Sequence, residues 1–216
     1  MVTFNCFLQR SLPVHLMNLA ELYIYMRVYI IRHGTASHLL EDYQRKVNYE
    51  EFMEILEEWK KSTLTPLGEQ EIQKQVNALK NMYTYIFYSP LRRTKQTARA
   101  FLTHPDNMTL SKALPQLTEI YISPPRMPRK LKIKIRYWVY LCVVKSLYTL
   151  SIFRYYFQAR QIIHRVKKVK DDILIISHQA RIFTLIVYAA LSPGWKVIKT
   201  DFNPAGVCII EKKLRK

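Results

Sequence analysis

The chain is poor in glycine and cysteine, and over one long stretch it has no acid at all. Four glycines and three cysteines occur in 216 residues. So little glycine excludes collagen-like and Gly-rich low-complexity chains. The cysteines, Cys6, Cys142 and Cys208, lie far apart and form no Cys-x-x-Cys or Cys/His cluster. That spacing supports neither a disulfide framework nor a structural zinc site, and points to reduced thiols in a cytoplasmic protein. The most apolar stretch, Tyr137 to Phe153, is cut by Lys145 and closed by Arg154. Its uncharged pieces fall short of the ~20 residues that span a bilayer. The start of the chain lacks the basic segment and cleavage site of a secretory leader.

Between Glu119 and Asp171 there is no acidic residue, yet thirteen Lys or Arg. The whole chain has 34 Lys plus Arg against 16 Asp plus Glu, a formal net charge of +18. Such a chain attracts anions: phosphorylated metabolites, nucleic acid or an acidic membrane surface. Hydrophobic residues make up 49% of the chain, enough for one sizeable core.

Five short β-rich runs are expected as strands: Arg27 to Ile31, Thr84 to Tyr88, Met108 to Lys112, Asp172 to Ser177 and Gly206 to Ile210. Helical spacing links Tyr49, Phe52, Ile55, Leu56 and Trp59. Thr65-Pro66 reads as a helix N-cap followed by proline, opening a helix to about Met82, and Ser89-Pro90 opens another to about Leu102. A further helix follows His178, with Ile182, Leu185, Ile186 and Ala189 on its inner face. Strands alternating with helices predict an α/β fold, a three-layer sandwich with a mostly parallel central sheet and a basic helical insertion. Residues 1–25 read as an N-terminal extension, with the domain over 26–216 beginning at Met26, a possible start, and the insertion over 120–170.

Three of the expected strands hand over to cationic or imidazole side chains. Arg32-His33-Gly34-Thr35 follows the first, Ser89 through Ala98 follows the second with Arg92 and Arg93, and His178 follows the strand ending at Ser177. Ligands bind at the carboxyl ends of strands in such sheets. Guanidinium forks, imidazoles and a helix N-terminus gathered there suit a tetrahedral dianion.

This set of motifs resembles the histidine phosphatase superfamily, also called phosphoglycerate mutase-like. The family carries Arg-His-Gly after its first strand, then Leu-Thr-x-x-Gly, Ser-Pro-Leu-x-Arg-x-x-x-Thr-Ala, an acidic proton donor and a second histidine after a late strand. The chain has Arg32-His33-Gly34, Leu64-Thr65-Pro66-Leu67-Gly68, Ser89 through Ala98, Leu117-Thr118-Glu119 and Ser177-His178, in that order. The resemblance implies that His33 is a nucleophile that becomes phosphorylated and that Arg32, Arg93 and His178 bind the phosphate. It implies Glu119 as proton donor. Catalytic residues are thus His33, Glu119 and His178, with Thr35 as a further possible hydroxyl for the phosphate. Neither a metal nor a cofactor is expected, because cationic side chains take over the electrostatic task.

Two departures stand out. Gln179 follows His178 where the family usually has glycine, and Thr35-Ala36-Ser37-His38-Leu39 lacks the Glu-Ser-x-Trp-Asn run of glycolytic mutases. The second favours a phosphatase acting on a small phosphorylated substrate over a mutase. A phosphatase for protein phosphohistidine and a weakly catalytic or non-catalytic binding protein for anionic membrane or nucleic acid are the alternatives. The basic, aromatic insertion fits a cap over the site, a hairpin packed on the sheet, or a peripheral membrane contact through Trp138, Leu141 and Phe153. Nucleic acid is the least expected partner, and the oligomeric state stays open.

Overall fold

The computed structural model describes residues 23–102, 110–120, 123–148 and 151–215. Residues 1–22, most of the expected extension, lie outside them, as do Met108 and Thr109 of the third expected strand. The elements are β1 (Tyr23–Arg32), β2 (Lys46–Val47), α1 (Tyr49–Lys61), α2 (Pro66–Ala78), β3 (Tyr85–Tyr88), α3 (Arg92–Leu102) and β4 (Leu110–Ala113). They continue with β5 (Ile133–Lys134), α4 (Ile135–Tyr148), α5 (Ser151–Lys167), β6 (Ile173–Ser177), α6 (Gln179–Leu191), β7 (Trp195–Lys199) and β8 (Val207–Arg215).

Six strands form the central sheet in the order β4-β3-β6-β1-β8-β7. The first four are parallel; β8 and β7 add on antiparallel. Each strand of a covered sheet presents alternate residues to opposite faces. On one face Val28, Ile30, Ile173 and Ile175 pack against Ala159, Ile162, Ile163 and Val166 of α5 and Ile182, Leu185 and Ala189 of α6. On the other, Tyr29, Ile31, Leu174 and Ile176 pack against Ile72 and Val76 of α2 and Ala98 and Phe101 of α3. The result is a three-layer α/β sandwich.

Local chemistry explains where the helices start. The Thr65 hydroxyl accepts from the Gly68 amide at 3.1 Å, with Pro66 in the first helical position. Asn48 caps α1 through a reciprocal box: its side chain accepts from the Glu51 amide, and Glu51 accepts from the Asn48 amide. The helix from Thr65 stops at Ala78, short of Met82, and the chain turns at Asn81 with a positive φ of 61°.

The strand expected from Arg27 begins at Tyr23, where Tyr23 to Tyr25 pair with Arg215 to Lys213. The last strand runs well beyond Ile210, to Arg215, and β7 was not expected. Antiparallel pairing at this edge lets charged residues such as Lys212 and Lys213 sit in strands, which hides them from an apolar-run criterion.

The basic insertion divides between two cores. Helix α5 belongs to the sandwich itself. Helix α4 packs on α1 in a separate cluster of Val47, Phe52, Ile55, Leu56, Ile135 and Trp138. This corrects the membrane reading of Trp138, Leu141 and Phe153. The Trp138 ring is fully buried, stacked on Phe52 at 5.6 Å between centroids, and its Nε1 donates to the Val47 carbonyl at 3.0 Å. Leu141 packs on the same cluster, and only Phe153 is exposed. The apolar face of α1, with Phe52, Ile55 and Leu56, covers Trp138. No helix among the described residues is long and apolar enough to cross a membrane.

Candidate active site

Strands β1, β3 and β6 end at one edge of the sheet and deliver Arg32-His33, Ser89 and Ser177-His178 there. The His33 amide donates to the Ser177 carbonyl at 3.2 Å, and the Ser89 amide to the Ile176 carbonyl at 3.1 Å. These bonds carry the parallel register one step past the strands. Beside them, Gly34 and Gly68 lie back to back. A Cβ on Gly34 would collide with the Gly68 carbonyl, and one on Gly68 with the Thr35 carbonyl. Only glycine lets the loop after His33 approach the start of α2 this closely.

The rings of His33 and His178 are 5.1 Å apart between centroids, edge to face, and both are buried. His33 Nδ1 lies 2.8 Å from the Gly34 carbonyl oxygen. A carbonyl can only accept, so Nδ1 carries the hydrogen and Nε2 keeps its lone pair. Burial first, then the charge of Arg93, holds His33 well below the usual histidine range. The ring is therefore neutral at pH 7, with its free electron pair on Nε2.

Arg93, in the first turn of α3, ties these groups together and is itself fully buried. Its Nε donates to His33 Nε2 at 3.1 Å, and its Nη1 to the Trp59 carbonyl at 2.8 Å and Ser62 Oγ at 3.1 Å. Its Nη2 pairs with the Glu119 carboxylate. Glu119 follows the short 3₁₀ turn Pro115–Leu117 and also lies 3.7 Å from His178 Nδ1. Arg32 is buried beside them, its Nη1 donating to the Phe202 carbonyl at 2.9 Å while its Nε has no partner.

The sequence pattern of the histidine phosphatase superfamily (branch 1) matches residues 28–132 of the chain. Over this stretch, just under half of its length, the chain is similar to this superfamily. No curated protein matches it in sequence. Among solved structures, phosphoglycerate mutase from Bacillus anthracis is similar with a TM-score of 0.60 at 15% identity, over 89% of this chain and 92% of that one. YhfR from Bacillus stearothermophilus gives 0.57 at 16% identity, over 85% and 90%. Phosphoserine phosphatase from Entamoeba histolytica, in complex with 3-phosphoglyceric acid, gives 0.54 at 18% identity, over 76% and 80%. At such identities the likeness is one of fold.

The fold brings His33, His178, Arg32, Arg93 and Glu119 together at one edge of the sheet. Thr35 has a different task from the one expected. Its amide and hydroxyl both donate to the Glu71 carboxylate, at 2.8 and 3.0 Å. A hydroxyl has one hydrogen, so Thr35 has none left to give a phosphate. Its bonds fix the loop after His33 to α2 instead. Burial first, then His33 and Arg93, hold His178 well below the usual histidine range, so it is neutral at pH 7. Arg92, at the variable position of its motif, is exposed.

Three further side chains here went unread in the sequence. His38 brings a third imidazole, 5.9 Å from His33 between centroids, with its Nδ1 2.9 Å from Ser62 Oγ. Burial first, then Arg93 and Arg32, push His38 down to about 3. Ser89, read only as part of a helix-start signal, places its hydroxyl 2.9 Å from His178 Nε2. Arg181, one turn into α6, is buried beside the Thr118 carbonyl. Its signal was present in the sequence: a lone arginine on an otherwise apolar helix.

Proposed function

We propose that the protein hydrolyses a phosphomonoester by way of a phosphohistidine formed on His33. The observation that carries this reading is the neutral imidazole of His33, with its Nε2 lone pair directed at Arg93. The Arg93 Nε–H donates to that lone pair. A bound phosphoryl group takes over the guanidinium, and Nε2 is released to attack phosphorus.

The N–P bond forms as the ester P–O bond breaks. Arg93 and Arg32 stabilise the charge on the transferring oxygens. With Arg93 turned to the phosphoryl oxygens, Glu119 takes up a proton from solvent and passes it to the departing alkoxide. Water then attacks phosphorus, its proton passes to Glu119, and the N–P bond breaks to give inorganic phosphate and free His33. His178 Nδ1 is buried without a partner and lies beside Glu119. With the Ser89 hydroxyl donating to Nε2, this Nδ1–H becomes the third donor to the phosphoryl group. The arrangement needs no metal to neutralise charge, so turnover persists in a chelator.

The test is a panel of phosphorylated metabolites with chelator present, combined with trapping of an acid-labile phosphoenzyme. His33→Ala is expected to lower turnover by at least about 10⁴-fold and to abolish trapping. Wild-type activity in that variant would remove the assignment.

A further inference from the structure

The Arg93 guanidinium divides its nitrogens between two tasks. Nε and Nη2 face the reacting groups, His33 Nε2 and the Glu119 carboxylate. Nη1 is anchored twice, on the Trp59 carbonyl at 2.8 Å and on Ser62 Oγ at 3.1 Å. A phosphoryl group takes over the first pair. The second nitrogen is the fixed point from which the fork reaches it.

Ser62 is the adjustable half of that anchor, because a hydroxyl turns to suit its neighbours. What it offers Arg93 depends on where its hydrogen points. That hydrogen goes to the Trp59 carbonyl at 2.8 Å. Ser62 Oγ is thus left as an acceptor, for Arg93 Nη1 and for His38 Nδ1, which lies 2.9 Å away. With no hydrogen left on Ser62 to give, Nδ1 must donate, so it carries the imidazole hydrogen. One donor and two acceptor positions are then all in use, on a side chain with 7% exposure.

The backbone keeps His38 at this place. The Ser37 amide donates to the Thr63 carbonyl at 3.0 Å, and Ala36 bridges to Leu64. The loop after His33 therefore runs beside the chain that leaves α1, and His38 meets Ser62 across the two. Its ring lies 5.9 Å from both His33 and Trp59 between centroids. Burial keeps the ring neutral, so it supplies a donor beside Arg93 without adding a second positive charge there.

We infer that His38 is a positioning residue: its Nδ1–H locks the Ser62 hydroxyl as an acceptor for Arg93 Nη1 and so aims the Nε and Nη2 edge at the phosphoryl group. This inference rests on the phosphatase reading above and names a group, away from phosphorus, that sets how well Arg93 grips.

Inorganic phosphate and p-nitrophenyl phosphate are the probes. His38→Leu removes the donor and frees the Ser62 hydrogen to turn towards Arg93. Phosphate binding should weaken roughly three- to tenfold, the loss of about one hydrogen bond. The fall in kcat should be larger, about tenfold or more, because Arg93 meets more charge in the transition state. His38→Asn, whose Nδ2–H stands where the imidazole Nδ1–H stood, should recover most of both losses. His38→Gln, which moves the donor to the place of Nε2, should not. The effect runs through Ser62, so His38→Leu combined with Ser62→Ala should be no worse than Ser62→Ala alone.

Phosphate affinity and kcat of the wild type in His38→Leu would overturn the inference. So would a His38→Asn variant as impaired as His38→Leu, or losses that add in the double variant. Should the leucine variant not fold, the asparagine and glutamine pair makes the same comparison. A wild-type protein that binds phosphate but turns over no ester and traps no phosphoenzyme removes the phosphatase reading, and the phosphate affinities of the variants then decide the inference alone. A wild-type protein that binds no phosphate overturns both.

Discussion

Strands β1 and β6 change character within two residues. Over Val28 to Ile31 and Ile173 to Ile176 every side chain is apolar and buried, shared between the two faces of the sheet. The next positions, Arg32-His33 and Ser177-His178, are equally buried and wholly polar. Burial alone therefore does not separate core from site. In the strand interiors it removes apolar surface from water, and any side chain of similar volume serves. At the strand ends it holds imidazoles neutral and leaves Arg32 Nε and His178 Nδ1 unpartnered. Stability resides in the first region, and at the second it is spent on chemistry.

The sharpest way to break this contrast is at Glu119. Glu119→Gln keeps an acceptor for Arg93 but has no proton to deliver. Turnover of alkyl phosphates should fall by about 10² to 10⁴-fold. Aryl phosphates should lose less, because a phenolate leaves with little help. Steady-state rates on a matched alkyl and aryl pair check this, and equal losses would remove Glu119 as proton donor.

At the other pole, Ile175→Ala empties space in the middle of β6. A loss of about 2–5 kcal/mol is expected in urea unfolding, with kcat of the folded enzyme unchanged. A large fall in kcat without loss of stability would show that the two regions are not separable.

The smallest expected effect is in pH dependence. His33, His38 and His178 are all lowered by burial, His38 to about 3. Between that value and about 6.5 the unfolded chain binds protons that the folded chain refuses. Stability is therefore full above about 6.5 and is lost as pH falls through this window. His38→Asn should flatten the acid side of the melting temperature against pH by at most about one proton. An unchanged slope would mean that His38 is not held neutral by its surroundings.

The two helices of the insertion show how far the sequence could be read. In α5, Ala159, Ile162, Ile163 and Val166 recur at helical spacing, and this stripe alone would have assigned the helix to the sandwich. Helix α4 is apolar around most of its circumference, so no face stands out. Tyr137, Tyr140 and Val143 stay exposed while Ile135 and Trp138 are buried. Only the position of Phe52 on α1 decides which tryptophan face is covered. Likewise the cap at Thr65-Pro66 was legible, whereas β7 was not, since two of its five residues are lysines and no apolar run marks it.

By itself the sequence determined the alternation of strand and helix, the cap at Thr65, and which strand ends carry histidine or arginine. Those features depend on side-chain period and on backbone donors a few residues away, so they are local. Tertiary structure alone decided the partners. Thr35 was drawn to Glu71, Ser89 came to His178, and Arg181 was brought to Gln158. Each of these depends on groups distant in the chain meeting where water is excluded, and there the strength of a charge or hydrogen bond is set by its neighbours.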